Sequence, residues 1–146
     1  MKIAVVDGQG GGIGKVITGQ IRKELPPETE IIALGTNAIA TSLMLKAGAN
    51  EGASGENAVI QSVKDVDLIV GSLGIILAHS MQGELTPGMA EAIAKSRAKK
   101  ILLPLTPVQV KVVGMEEEAE TEPLNHLVAR LVARLKEIAE RATGGL

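Results

Sequence analysis

The residues with the most chemical promise lie together near the start of the chain, in DGQGGGIGK (7–15). Gly8, Gly10, Gly11, Gly12 and Gly14 fall within seven positions, after the apolar run KIAVV (2–6) and before an amphipathic stretch. Glycine lets a backbone take positive φ and approach another group closely. A strand that ends in such a turn and enters a helix presents unpaired N–H groups at the positive end of the helix dipole, which makes an anion site. The chemistry implied is capture of a phosphate by main-chain donors from Gly10 through Ile13 to Gly14. Asp7 stands at the mouth of this loop. Three roles remain open for its carboxylate: holding Mg²⁺, accepting from a ribose hydroxyl, or capping the turn.

Spacing narrows the class of loop. The dinucleotide fingerprint G-x-G-x-x-G finds no clean register, because its third glycine falls on Ile13 counting from Gly8 and on Lys15 counting from Gly10. The pattern G-x-x-x-G-I-G does fit, through Gly8, Gly12, Ile13 and Gly14. It is similar to the cofactor loop of short-chain dehydrogenases, with Asp7 where that family usually has threonine. The phosphate-loop pattern G-x-x-x-x-G-K-[ST] fails at Gln9 and at Val16, which argues against NTP hydrolysis.

Other candidates lie where later strands end. Thr36 and Asn37, in GTN (35–37), are neutral groups able to hold a ribose or a 2′-phosphate, or to cap the next helix. The segment GSLGIILAHSMQGELTP (71–87) carries Ser72, His79, Ser80, Glu84 and Thr86, and its length suits a lid or substrate loop. Ser72 sits in VGSLG, close to the hydrolase elbow G-x-S-x-G but with Val70 at the first glycine. His79 is the best acid–base candidate, against a capping or surface role. Ser54, Glu56, Asn57 and Lys15 are further candidates for reaching a ligand, while His126 reads as structural or exposed.

Positioning these residues requires alternating strands and helices. The runs 2–6, 30–34, 66–74 and 99–105 read as buried strands, and VQVKVVG (108–114) reads as an edge strand with one wet face. Helices are predicted over 13–25, 37–48, 55–64 and 84–97, the last with Thr86 as N-cap and Pro87 at its first position. GANEGASGENAV (48–59) reads as a small-residue loop entering a helix, and EEEAETE (116–122) as a solvated loop. A final helix starts near Pro123, with Leu124, Val128, Leu131, Leu135 and Ile138 on one seam and Leu127 and Val132 beside it. The expectation is a single α/β domain over 1–146: a Rossmann-like, doubly wound, mostly parallel sheet of about five strands within 1–114, then the acidic loop and a C-terminal amphipathic helix.

Composition removes whole classes. There is no cysteine and there are two histidines, so no disulfide, thiolate chemistry or metal site is expected. No aromatic residue occurs, which removes both tyrosine acid–base chemistry and the stacking platforms of single-strand nucleic-acid binders. A net charge of −2 carries no nucleic-acid footprint. No signal peptide or membrane span is evident, so a cytoplasmic location is expected.

The segments VVDGQGGGIGK, IIALGTNAIATSLMLKAGA, GASGENAV, GSLGIILAHSMQGELTP and AKKILLPL together resemble, over about residues 1–114, a family of short uncharacterised bacterial proteins labelled only as a domain of unknown function. The resemblance implies a Rossmann-like fold and no assigned activity. The functional expectation is a binder of a phosphate-bearing small molecule, NAD(P) or another nucleotide, at Gly8–Gly14. The rival is a non-catalytic nucleotide sensor or an assembly protein whose final helix makes a homodimer.

Overall fold

The computed structural model describes residues 1–107 and 109–144. The strands β1 (Lys2–Asp7), β2 (Glu30–Gly35), β3 (Glu51–Ser54), β4 (Leu68–Ser72) and β5 (Lys99–Leu103) form one sheet in the order β3-β2-β1-β4-β5. Every neighbouring pair is parallel. Parallel neighbours need crossovers, and α1 (Gly12–Glu24), α2 (Ala38–Ala47), α3 (Glu56–Ser62) and α4 (Pro87–Lys95) supply them. This is the doubly wound α/β architecture expected. The chain ends in α5 (Glu116–Glu120) and α6 (Leu124–Gly144).

The apolar strand runs follow from this layering. In β1, Ile3 and Val5 pack with Ile17 and Ile21 of α1, Met44 of α2 and Leu131 and Leu135 of α6, whereas Ala4 and Val6 pack with Val59 of α3 and Met89 and Ile93 of α4. A strand covered on both faces has no wet side, so its residues are apolar without alternation. The seam of α6 belongs to this core. Leu127, Val128, Leu131, Val132 and Leu135 are each at most 4% exposed, worth about 1.5–3 kcal/mol per fully buried side chain. A dimer must therefore use some other surface.

Three local expectations need correction. The fifth strand is β3, inside the segment expected to be a loop. It pairs with β2 from Ile32↔Glu51 to Gly35↔Ser54 and lies at the sheet edge, where its exposed polar residues are tolerated. The strand expected at 108–114 does not form: Val108 lies outside the described residues, and 109–114 holds turns and irregular backbone. Pro104 and Pro107 lack ladder donors, and the chain between them turns across the strand ends. Val112 and Val113 are 37% and 89% exposed, so the alternation at 110–113 has no sheet to face. The acidic run is helical over Glu116–Glu120 with no buried residue, and Glu116, Glu117 and Glu118 lie in the first turn where the helix dipole favours them.

Candidate functional site

The glycine loop joins the end of β1 to α1, and its glycines divide into two kinds. A Cβ on Gly14 would lie 2.6 Å from Met44 Sδ and 2.8 Å from Asp7 Cβ; one on Gly8 would lie 2.8 Å from Met81 Sδ. Gly11, the N-cap of α1, has φ 74° and its Cβ would lie 2.8 Å from Ala40 Cα. These three glycines are required by the fold. Gly10 and Gly12 are not: each has an ordinary φ, and a Cβ on either would meet nothing within 4 Å.

The amides divide in the same way. Gly11 N donates to Gly8 O at 2.9 Å. The buried carboxylate of Asp7 accepts from Gly8 N through Oδ1 at 2.8 Å and from Gly14 N through Oδ2 at 2.6 Å. Asp7 is thus the cap among its three open roles. The amides of Gly10, Gly12 and Ile13 donate to no described residue. Burial pushes the Asp7 carboxyl above its usual range; the two amides oppose this, and Glu84 adds to it.

Strand order reverses between β1 and β4, and a doubly wound sheet opens a crevice beyond the strand ends at such a point. A cavity of about 330 Å³ lies there, lined by Asp7, Gln9, Ile13, Ser72, Ser80, Met81, Gln82, Leu105 and Thr106, among others. Ser80 Oγ donates to Gly74 O at 2.5 Å. Ser72, at the end of β4, is only 6% exposed, and its Oγ has no hydrogen-bond partner among the described residues. The side-chain oxygen that is fully buried without a partner among the described residues is Thr18 Oγ1, so Ser72 Oγ reaches the open space of the cavity.

A second carboxylate closes the β2 side. Glu84 Oε1 accepts from Gln9 N at 2.8 Å, Thr36 Oγ1 at 2.7 Å and Asn37 Nδ2 at 2.8 Å. These donors, with Thr36 first, hold its carboxyl below the usual range. The segment that delivers Glu84 is tightly coiled: His79, Met81 and Gln82 have φ of 72°, 58° and 56°. Left-handed backbone at non-glycine residues is costly and collects at ligand clamps and switch regions.

The model of the family described as "Domain of unknown function (DUF3842)" matches residues 2–140. The chain belongs to that family. The DUF3842 match runs past residue 114, where the resemblance noted from the sequence stopped, and takes in the acidic run and most of α6. No curated protein sequence matches the chain. Among solved structures, a dodecameric FMN-dependent UbiX-like decarboxylase from Escherichia coli O157:H7 is similar at TM-score 0.46 and 12% identity, over 93% of this chain and 95% of that one.

In this DUF3842 chain the predicted site residues sort clearly. Asp7, Ile13 and Ser72 line the cavity, whereas Gly8, Gly10, Gly11, Gly12 and Gly14 belong to the adjoining loop and are not among its lining residues. Thr36 and Asn37 reach the glycine loop, but both donate to Glu84, and Asn37 also caps α2 by accepting from Ala40 N at 2.9 Å. His79 is exposed and does not line the cavity. Lys15 is exposed on α1, and Glu56 and Asn57 are exposed at the start of α3. Ser54 Oγ bonds Thr41 Oγ1 at 2.7 Å, and His126 pairs with Glu122 at 3.5 Å. Sequence reasoning placed Glu84 in the long loop but gave it no role, and it missed Gln9, Gln82, Leu105 and Thr106. A larger hollow, about 490 Å³, lies between α3 and α4 beside Lys64, Glu91, Lys95 and Arg97, away from the strand ends. No described helix is long and apolar enough to cross a membrane.

Proposed function

We propose that this chain binds a phosphate-bearing small molecule of the nucleotide class in the β1/β4 crevice, its phosphoryl group on the amides of Gly10, Gly12 and Ile13. One observation carries the reading: Gly10 and Gly12 are glycines that the fold does not require, beside amides that the fold does not use. Glycine at the first turn of a helix costs up to about 1 kcal/mol against alanine. Close approach by a group outside the chain accounts for that choice. The unpartnered Ser72 Oγ faces the same cavity and supplies a further donor.

Asp7 does not bar a phosphate from the loop. Its two oxygens are turned to the amides of Gly14 and Gly8, whose hydrogen bonds they accept. Among the described residues it is also the only titratable side chain lining the cavity. That favours the sensor or carrier reading over acid–base turnover, since among the described residues neither Ser72 nor His79 has a partner that would activate it.

Thermal melting with NAD, NADP, ATP, GTP and sugar phosphates tests the proposal. A ligand at a hundredfold excess over its dissociation constant adds about 2.7 kcal/mol, or about 5–10 °C for a chain of this size. The expected result is such a shift for at least one compound, lost in Gly12→Leu with the unliganded melting point little changed. A shift that survives Gly12→Leu contradicts the reading.

A further inference from the structure

We infer that the chain associates with itself: the turn at 112–115 and the outward face of α5 in one copy seat in the hollow between α3 and α4 of a second copy. The apolar seam of α6 is buried inside the core of its own chain. Self-association therefore needs other surfaces, and these two are complementary in both charge and polarity.

The hollow has an apolar floor and a basic rim. Half-buried Ile60, Gly88 and Ala92 make the floor, and its volume of about 490 Å³ is that of a binding cleft. Lys64, Lys95 and Arg97 stand exposed around it, and among the described residues none of them makes an ion pair. Lys64 Nζ donates to Gln61 Oε1 at 3.3 Å. Glu91 is an acid in the same lining, and Glu56 stands behind Gly88, on which a Cβ would lie 3.2 Å from Glu56 Oε2. Even with both acids counted, the cations prevail. The occupant that fits is acidic with an apolar tip.

The segment after β5 has that chemistry. Met115 N donates to Val112 O at 3.0 Å and Gly114 has φ 95°, so 112–115 is a closed turn. Val113 at its tip is 89% exposed. In α5, which follows at once, Glu116, Ala119 and Glu120 face back over a small hollow shared with Pro104 and Val110, and Glu120 pairs with Lys111. Residues i, i+3 and i+4 share one face of a helix, so Glu117 and Glu118 take the other. Among the described residues neither carboxylate has a hydrogen-bond or ion-pair partner. An exposed valine beside two free carboxylates thus matches an apolar floor beneath three free cations. Within one chain α5 lies over Pro104 and Val110 instead, so the occupant comes from a second copy. Either surface set against its own twin would oppose like charges, so the contact runs from one surface to the other.

Sedimentation equilibrium of the full chain tests this. The wild-type protein should show a concentration-dependent mass above that of one chain at low salt. Raising salt from about 0.1 to about 1 M shortens the screening length from about 10 to about 3 Å and should weaken association about tenfold. Lys95→Glu with Arg97→Glu, and separately Glu117→Lys with Glu118→Lys, should each leave a monomer with an unchanged melting point, because none of the four side chains is buried. Mixed in equal amounts, the two variants should associate again, since the acidic hollow of one meets the basic α5 of the other. Val113→Ser should weaken wild-type association about tenfold with no change of charge. A charge variant that fails to fold leaves the wild-type and Val113→Ser results to decide. A wild type that stays monomeric at low salt overturns the inference and leaves the hollow to a different molecule. Association that survives both charge reversals, or a mixture no better associated than its components, also overturns it, because the copies would then meet elsewhere.

Discussion

The carboxylate of Glu84 lies 2.8 Å from the main-chain nitrogen of Gln9, across a sequence separation of 75 residues. This contact joins the loop after β4 to the loop after β1, and with Thr36 and Asn37 it ties in the loop after β2. Three strand-end loops thus meet at one oxygen atom. The β4 side of the loop carries the open cavity, and the β2 side is closed by Glu84.

The two kinds of glycine predict opposite responses to alanine. A Cβ on Gly35 would lie 2.6 Å from Asn37 O and 2.8 Å from Thr41 N, and would also strike Thr41 Oγ1. Backbone cannot yield as a flexible side chain does, so Gly35→Ala should cost about 1–3 kcal/mol or more. Gly12→Ala meets open space at the start of a helix and should gain up to about 1 kcal/mol. Urea unfolding of both variants measures the contrast, and equal destabilisation would refute the division.

Ser72→Ala removes a hydroxyl that bonds no described residue. Its stability should stay within about 1 kcal/mol of wild type, because no partner is orphaned. Its affinity for a phosphoryl ligand should fall about three- to tenfold, the worth of one neutral hydrogen bond. Paired melting and titration experiments separate the two effects. A large loss of stability would mean that Ser72 serves the fold instead.

Asp7 makes stability depend on pH with a definite sign. Burial raises its folded-state pKa above the ordinary 3.8, with the Gly14 and Gly8 amides opposing and Glu84 reinforcing. Its contribution is therefore full below 3.8 and is lost as pH rises through the raised value. Glu84 acts oppositely: its folded value is lowered from 4.5, so its contribution is present above 4.5 and lost as pH falls. Asp7→Asn isolates the first effect. Chemical denaturation from about pH 4 to 7 should show wild type losing stability relative to Asp7→Asn as pH rises; a constant difference would contradict the burial account.

Leu135 is fully buried among α6, α1 and the sheet. Leu135→Ala should cost about 2–5 kcal/mol through the lost transfer energy and the cavity left behind. Calorimetric melting measures it. A loss below about 1 kcal/mol would mean that α6 is not part of the core.

β1, β2 and β4 were legible because they are buried on both faces, which leaves a near-continuous apolar run in each, and half-buried β5 at the sheet edge kept the apolar run ILL after its two lysines. β3 was not, because an edge strand can form from EGAS. There Gly52 lets α2 lie close: its Cβ would be 2.7 Å from Thr41 Cγ2 and 3.2 Å from Leu45 Cδ1. The alternation in VQVKVVG is present in the sequence, but periodicity says nothing of whether a neighbouring strand is free to pair. At the site, Asp7 and Ser72 were readable as strand ends. The reach of Glu84 to Gln9 was not, since it depends on left-handed backbone at His79, Met81 and Gln82, residues that do not announce such a turn.

The central claim is that the Gly10, Gly12 and Ile13 amides receive a phosphoryl group. Titrating ¹⁵N-labelled protein with AMP while following its amide resonances tests that claim most directly. Saturable shifts largest at Gly10, Gly12 and Ile13, with a smaller effect at Ser72, are the predicted result. No saturable shift at these three amides, or shifts confined to the hollow between α3 and α4, would contradict it.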